Sequence, residues 1–396
     1  MIGLLMFLFH VLGLISSIHS VMSTRTSQGT IAWVIALNTF PYLAVPGYWI
    51  LGRSRFQGYV KARQVNDRST ERYEKIVIDA LAPHRVSESE VAPAGKAAER
   101  LAEMPFLEGN RVDLLIDGQA TFDSIIHGID ASSDYILFQF FIVHDDKVGR
   151  RVKSHLVDKA KEGVRVYFLY DELGSHDLPS SYVEGLKAAG IAVSAFNARK
   201  GKGNRFQINF RNHRKVVMVD GRVAWIGGHN VGDEYLGRNP KFGHWRDTHK
   251  RILGPSVLEA QLSFLEDWHW ATESALELTW SPEKTNDAEQ SVLIVPSGPA
   301  DELETATLMF LHTINSAQNR IWIASPYFVP DDSIVDALQL AGLRSVDVRI
   351  LIPDKPDHLL VYLAAFSYFE EAGRTGVRFY RYTNGFLHQK AMLLSL

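Results

Sequence analysis

Residues 212–230 read NHRKVVMVDGRVAWIGGHN, and residues 387–396 read LHQKAMLLSL. Each string sets a histidine two places before a lysine, His213 with Lys215 and His388 with Lys390, and each leads into a short apolar stretch. If that stretch is a strand, positions i and i+2 project from one face, and an imidazole lies beside an ammonium. Such a pair suits a phosphodiester. The imidazole can attack phosphorus or move a proton, while the ammonium neutralises nonbridging oxygens in place of a metal. One His-x-Lys alone is more often an exposed basic strand; its recurrence at equivalent places in a repeat points to chemistry.

The recurrence extends beyond these strings. DYILFQFFIVHDD from Asp134 corresponds to NRIWIASPYFVPDD from Asn319, VRVYFLYD from Val164 to DVRILIPD from Asp347, and AAGIAV from Ala188 to RTGVRF from Arg374. Apolar runs alternate with amphipathic stretches, among them helices expected around Thr121–Ile129 and Lys147–Lys161, which is an α/β pattern. Two copies of one α/β unit are expected, over residues 111–290 and 291–396.

At 396 residues the chain has room for two or three domains, and its 46% hydrophobic and 22% charged residues exclude wholesale disorder. With 42 Lys plus Arg against 45 Asp plus Glu, the net charge of −3 gives no global attraction to nucleic acid, so any phosphate binding must be local. There is no cysteine, which removes thiol nucleophiles, Cys-bound zinc and disulfides together.

The N-terminal end departs from this average. Residues 1–24 hold no Asp, Glu, Lys or Arg, and after Arg25 a second uncharged run extends from Thr26 to Gly52. Ile2–Met22 and Ile31–Leu51 are each about 21 residues, ~31 Å as helix against a hydrocarbon core of roughly 30 Å. The reading is a transmembrane helical hairpin over residues 1–60. Arg53, Arg55, Lys61 and Arg63 follow it, against Arg25 alone in the link, which puts the rest of the chain in the cytoplasm. A cleaved signal peptide fits less well, since no basic n-region precedes the first run and a second run follows. Pro41 and Pro46 would kink the second helix, which leaves a tilted or re-entrant segment open. Residues 61–110, with a helix expected near Thr70–Leu81, read as a polar connector.

Around the first string, Asp220-Gly221 is a good two-residue hairpin turn, and a turn role and an orienting role for Asp220 both stand. Gly227 and Gly228 would let backbone approach a ligand, and Asn230 could donate to a phosphate oxygen. Arg199, Lys200, Lys202, Arg205, Arg211, Arg214 and Lys215 are unbroken by any acidic residue. They read either as a solvated loop or as positive potential for anionic headgroups, worth about 1 kcal/mol per residue near a charged membrane. Leu359–Phe369 reads as a helix buried against a sheet, with an acyl groove as the alternative.

Taken together, H-x-K-x4-D followed by six residues and G-G-x-N resembles the signature of the phospholipase D superfamily. Two copies behind an apolar hairpin, with FRNHRKVVMVDG, HWRDTH, SPYFVP and FLHQK, resemble the bacterial cardiolipin synthases from the hairpin to the last residue. The resemblance implies a metal-free and cofactor-free enzyme that converts two phosphatidylglycerols into cardiolipin and glycerol at a single site between two α/β halves. It implies His213 as nucleophile and His388 as acid and base, an order that the residues alone leave open. Lys215, Lys390, Asn230 and Gly228 match phosphate-binding positions, and Asp220 completes the first motif. Asp247 is expected to hold the Nδ1 proton of the nucleophile, with a surface ion pair to Arg246 or Lys250 as its alternative. The implied partners are phosphatidylglycerol, other anionic phospholipids and the inner membrane, with no nucleic acid.

The second string departs from the pattern, because Ser395 stands where the family has an aspartate and the sequence stops at Leu396. The expectation is an incomplete second half with little or no synthase activity. Two other outcomes stand beside it: a hydrolytic phospholipase D releasing phosphatidic acid, and an inactive membrane-anchored lipid-binding chain.

Overall fold

The apolar stretch after His213 does become a strand, and so does the one after His388. A computed structural model of the chain describes residues 2–23, 27–52, 67–89, 91, 93–196, 211–285, 288–298, 301 and 303–395. Its helices are α1 (Ile2–Ser23), α2 (Ser27–Thr39), α3 (Pro41–Leu51), α4 (Asp67–Leu81), α5 (Pro93–Ala102), α6 (Asp117–Asp130), α7 (Lys147–Lys161), α8 (Ser180–Ala188), α9 (Val257–Thr272), α10 (Thr305–Ser316), α11 (Asp332–Leu343) and α12 (Leu359–Gly373).

The larger sheet contains β1 (Leu107–Ile116), β2 (Tyr135–Phe140), β3 (Arg165–Asp171), β4 (Ala192–Phe196), β5 (Val216–Val219), β6 (Val223–Gly227), β8 (Thr248–Leu253) and β9 (Gln290–Val292) in the order β4-β3-β2-β5-β6-β8-β1-β9; the short β7 (Trp245–Arg246) lies outside it. The strands β2, β3 and β4 are parallel and β5 returns antiparallel to β2, with Phe138 opposite Val217. A second sheet joins β10 (Arg320–Ala324), β11 (Asp347–Pro353), β12 (Arg378–Tyr382) and β14 (Ala391–Ser395) in the order β12-β11-β10-β14. There β10, β11 and β12 are parallel and β14 returns antiparallel to β10, with Ile321 opposite Leu394.

All six residues of YILFQF in β2 are buried, as a central strand covered on both faces requires. Phe122 and Ile125 of α6, Val152 and Leu156 of α7 and Leu186 of α8 cover one face. Val257, Phe264, Leu265 and Trp268 of α9 cover the other. Each such side chain contributes about 1.5–3 kcal/mol on burial. A separate core of Ile314, Leu338, Val348, Ile350 and Ala365 supports the smaller sheet.

Three readings of the sequence need correction here. Residues 61–110 are more than a linker where they are described: Val77 and Leu81, one turn apart on α4, pack with Leu107 of β1 and Leu258 and Leu262 of α9. The helix over Leu359–Phe369 forms, yet only Ala365 is buried in that stretch, while Leu359, Leu360 and Leu363 stay exposed. Ala365 enters the core with Tyr368 and Phe369 packed partly buried against it, while the leucines at the start of the helix do not. The second uncharged run is not the second helix of a two-span hairpin either, and the kink expected from its prolines is a full break. It breaks at Phe40, where Pro41 lacks the N–H that would continue the ladder, and gives α2 and α3.

Candidate active site

His213 lies just ahead of β5, in a segment pinned from both sides. The Asn212 N–H donates to Asp171 Oδ2 at 2.8 Å, and Asn212 Nδ2 and Arg214 Nη1 donate to Asp267 Oδ2 at 2.7 and 2.6 Å. Asp267 is buried on α9 and also takes a 2.7 Å bond from Gln139 of β2, so sheet and helix together set the backbone around His213. The imidazole stacks on Phe141, centroids 3.9 Å apart and planes 18° from parallel, while its outer edge meets solvent. Two residues on, buried Lys215 donates from Nζ to the His213 carbonyl at 2.6 Å. Burial and then Lys390 push the Lys215 ammonium down to about 7. Desolvation, then Lys215, Arg211, Lys390 and His388, hold His213 far below its ordinary value, as a neutral ring.

The second string reaches this place through a seam between the two sheets. The strand β13 (Phe386–Leu387) runs parallel to β7, Phe386 opposite Trp245. The Phe386 and His388 N–H groups donate to the carbonyls of His244 and Arg246 at 2.8 and 2.9 Å. Gly385 enters the seam at φ +96°, and the His244 carbonyl occupies the space that a Cβ would take, so glycine is required on two counts. The seam delivers His388 Nδ1 to Asp247 Oδ2 at 2.7 Å. Lys390 Nζ sits 3.1 Å from the other ring nitrogen, Nε2.

Asp247 is 1% exposed. Burial alone would raise its carboxyl, but the His388 hydrogen bond and the charges of His229 and His388 outweigh it and leave the group ionised below its usual range. Its Oδ1 accepts the Thr248 N–H at 2.7 Å, and its backbone is held by Asp117, which accepts the Asp247 N–H at 3.2 Å and donates its own N–H to the Asp247 carbonyl at 3.0 Å. For His388, burial lowers the ring's pKa, and the Asp247 hydrogen bond opposes the fall without reversing it. The result is a positively charged cluster in which Lys215 and Lys390 depress His213. A phosphate between the two amines would relieve their mutual repulsion.

The geometry revises several residue assignments. Asp247 pairs with His388, the ring of the opposite string, rather than with His213, and Arg246 turns away from its carboxylate toward Asp117. Asp220 is the turn: at φ +53° its carboxylate accepts the N–H groups of Ser133, Asp134 and Tyr135 at 2.8–2.9 Å and the Ser133 hydroxyl at 2.8 Å. That places it at the far end of the β5–β6 hairpin, so it is not part of the catalytic cluster. Gly228 serves Asp247, since a Cβ there would collide with both carboxylate oxygens, and Gly227 in the same way faces the ring of His249. Asn230 is buried, its Oδ1 accepting the Ile142 N–H at 3.0 Å and its Nδ2 donating to Tyr235 at 3.1 Å. Of the basic run, Arg199, Lys200, Lys202 and Arg205 lie outside the described residues.

Sequence reasoning missed Phe141, Asp117, Asp171 and Asp267, and also His229 and His249, whose Nδ1 atoms lie 3.3 Å apart in full burial behind Asp247. The string FQFFIVHDD held a signal for Phe141, an aromatic one residue past a strand that is apolar but for Gln139. The carboxylates carried none, because each lies far along the chain from the residue it braces.

The family model described as cardiolipin synthase, PLD-like domain matches residues 125–242 and 310–395, the two stretches that carry the paired strings. The chain belongs to that family. Cardiolipin synthase A of Pseudomonas fluorescens is 48% identical over 398 residues, covering 99% of this chain and 82% of the relative. Cardiolipin synthase A of Pseudomonas aeruginosa is 47% identical over 400 residues, covering 99% and 81%. Among solved structures, phosphatidylserine synthase of Haemophilus influenzae matches with a TM-score of 0.53 at 15% identity, over 76% of this chain and 80% of that one, a likeness of fold. The fold is thus phospholipase D-like, and the chain is an enzyme of the cardiolipin synthase family.

Proposed function

We propose that this chain transfers a phosphatidyl group between two phosphatidylglycerols, giving cardiolipin and glycerol, at one site shared by two phospholipase D-like halves. The halves correspond to residues 111–290 and 291–396, behind a membrane anchor in residues 1–60 and the segment 61–110. The repeat reading is supported by strand order, since β4-β3-β2-β5 and β12-β11-β10-β14 carry the same sequence of parallel and antiparallel pairings. The observation that carries the functional reading is the 2.7 Å bond from His388 to buried Asp247, beside the neutral ring of His213.

That asymmetry supports a division of roles. A nucleophile must be neutral, and His213 is held neutral; a group that delivers and retrieves a proton needs a counter-charge for its imidazolium, and His388, although burial lowers its pKa overall, has the Asp247 carboxylate opposing that fall. His213 attacks the phosphorus of the first phosphatidylglycerol, the bond to glycerol breaks, and His388 protonates the departing alkoxide. A phosphatidyl-His213 remains. His388, now neutral, takes the proton of a hydroxyl on the glycerol headgroup of the second lipid. That oxygen displaces His213 from phosphorus, and both rings return to their starting states. Lys215 and Lys390 neutralise the nonbridging oxygens through both steps. Asn230 and Gly228 act behind this front, by holding the 142–143 backbone and by making room for Asp247. The reading places the enzyme in the inner membrane with its catalytic halves on the cytoplasmic side, where Arg53, Arg55, Lys61 and Arg63 leave the apolar region.

The test is thin-layer analysis of products from phosphatidylglycerol vesicles. Cardiolipin with equimolar glycerol, abolished in His213→Ala, is the expected result. Phosphatidic acid as sole product would make the enzyme hydrolytic, and full turnover by His213→Ala would overturn the assignment.

A further inference from the structure

The N-terminal 52 residues fold in a way that two antiparallel spans do not allow. In α1, 22 residues rise ~33 Å, enough for a hydrocarbon core of roughly 30 Å. With 13 and 11 residues, α2 and α3 reach only ~20 and ~16 Å, so neither crosses by itself. They do not add up to one span either, because α3 folds back beside α2: the rings of Trp33 and Tyr48, fifteen residues apart, are 5.2 Å from centroid to centroid. In one continuous helix they would stand ~22 Å apart.

Both short helices pack along α1. Asn38 of α2 donates to Ser17 at 2.8 Å, Trp49 of α3 donates to Ser16 at 3.0 Å, and Tyr48 meets His19 Nδ1 at 2.7 Å. At the tip, Tyr42 reaches Phe9, centroids 5.5 Å apart, and the space beside Gly13 is filled by the Leu37 carbonyl. Small residues at the contact with hydrogen bonds across it are how helices associate in lipid. The tip therefore lies level with residues 9–13 of α1, roughly 15–21 Å from the Ser23 end and near mid-bilayer.

A turn at that depth must satisfy its own backbone. Phe40 donates to the Ala36 carbonyl at 2.8 Å and accepts from Leu43 and Ala44 at 3.2 and 2.9 Å, while Pro41 has no N–H to lose. The tip is also apolar, with Phe40 69% and Leu43 81% exposed to whatever surrounds it. Charge agrees with this geometry. A fold-back brings the end of α3 to the side where α1 ends, since Tyr48 lies within 3.3 Å of Ser23. In the sequence Arg25 follows α1 and Arg53, Arg55, Lys61 and Arg63 follow α3, so a fold-back makes the positive-inside count uniform, whereas two spans would set Arg25 against the rest. On that same face Gln28 donates to Asp332 of α11 at 3.3 Å, which ties the α1–α2 junction to the catalytic region.

We infer that α1 alone crosses the bilayer and that α2–α3 form a re-entrant helical hairpin, entering and leaving the lipid on the side of the catalytic halves. The N-terminus then lies on the opposite side. This rests on the membrane reading of the proposed function.

Because the chain has no cysteine, single substitutions report directly. Gly3→Cys, Ser27→Cys, Phe40→Cys and Lys187→Cys are expressed in the full chain and treated with a membrane-impermeant maleimide in right-side-out and inverted vesicles. The expected result is that Ser27→Cys and the catalytic-domain marker Lys187→Cys label from one face and Gly3→Cys from the other, each by at least about tenfold. Phe40→Cys stays unlabelled from both faces until detergent is added. Gly3→Cys labelling with Lys187→Cys while Ser27→Cys labels from the opposite face would establish two spans and overturn the inference. So would labelling of all three from one face. Release of the chain by alkaline carbonate would refute the membrane reading itself, and with it this inference, while leaving the chemistry at His213 untouched.

Discussion

Asp247→Asn isolates the contribution of one buried charge. In the native site both carboxylate oxygens are acceptors at once: Oδ2 takes His388 Nδ1 at 2.7 Å and Oδ1 takes the Thr248 N–H at 2.7 Å. A carboxamide of the same shape has one acceptor oxygen, so either the Thr248 N–H or the His388 ring loses its partner. The carboxylate is 1% exposed, and water cannot substitute. Removing one member of such a buried pair costs about 3–5 kcal/mol. If that loss falls on the state in which His388 is protonated, it converts at about 1.4 kcal/mol per decade into a 10²- to 10⁴-fold fall in turnover. The sign with pH follows. Asp247 raises the pKa of His388 against the lowering effect of burial, so its removal moves loss of the imidazolium to lower pH, and the alkaline limb of the rate profile shifts down. The assay is the initial rate of cardiolipin formation from labelled phosphatidylglycerol in mixed micelles across pH 5–9, with circular dichroism to establish folding. A folded variant within threefold of the parent rate and with an unshifted alkaline limb would refute the reasoning.

Further outcomes follow from the same geometry. Asp220→Ala removes an acceptor of four hydrogen bonds and should lower stability by about 2 kcal/mol, with turnover per folded molecule unchanged; denaturant titration checks it. Burial raises the Asp220 carboxyl, but the backbone donors outweigh it and the folded value is lowered. Its contribution is thus full above the unfolded pKa of about 4 and lost as pH falls through the folded value, so parent and variant should converge in acid. Gly228→Ala drives a methyl into both Asp247 oxygens and should abolish turnover while keeping most secondary structure, as the rate assay and circular dichroism together would report. Phe141→Leu keeps a buried apolar residue but removes the stack on His213; the ring's desolvation falls, its pKa rises, and the acid limb of the profile should move up in pH.

The fold was legible where one string determines its own structure. YILFQF, an apolar run in an α/β pattern, and VVMV, read conditionally as a strand, are both buried strands, and the two His-x-Lys strings pointed to both halves of the site before any geometry was known. Asp220 was ambiguous because Asp-Gly serves a turn and an orienting carboxylate equally well; four hydrogen bonds to residues 133–135, more than 80 positions away, decide it. The partner of Asp247 was misread for a related reason. The resemblance attached Asp247 to the nucleophile, expected to be His213, whereas the β7–β13 seam, two residues long on each side, brings in a ring 141 positions away. At the N-terminus, Pro41 and Pro46 announced a kink and left a re-entrant segment open, but hydropathy could not say that the break at Pro41 would send the chain back on itself.

The central claim is that His213 and His388 divide the work on one lipid phosphorus. It is tested most directly by incubating folded His388→Ala with phosphatidylglycerol labelled at phosphorus, quenching at alkaline pH and locating the label by mass spectrometry. The account predicts a phosphatidyl adduct on His213 that forms slowly, because His388 no longer protonates the departing glycerol, and then persists, because the acceptor hydroxyl cannot be deprotonated. Label on any other residue, or undiminished cardiolipin formation with no adduct at all, would contradict it.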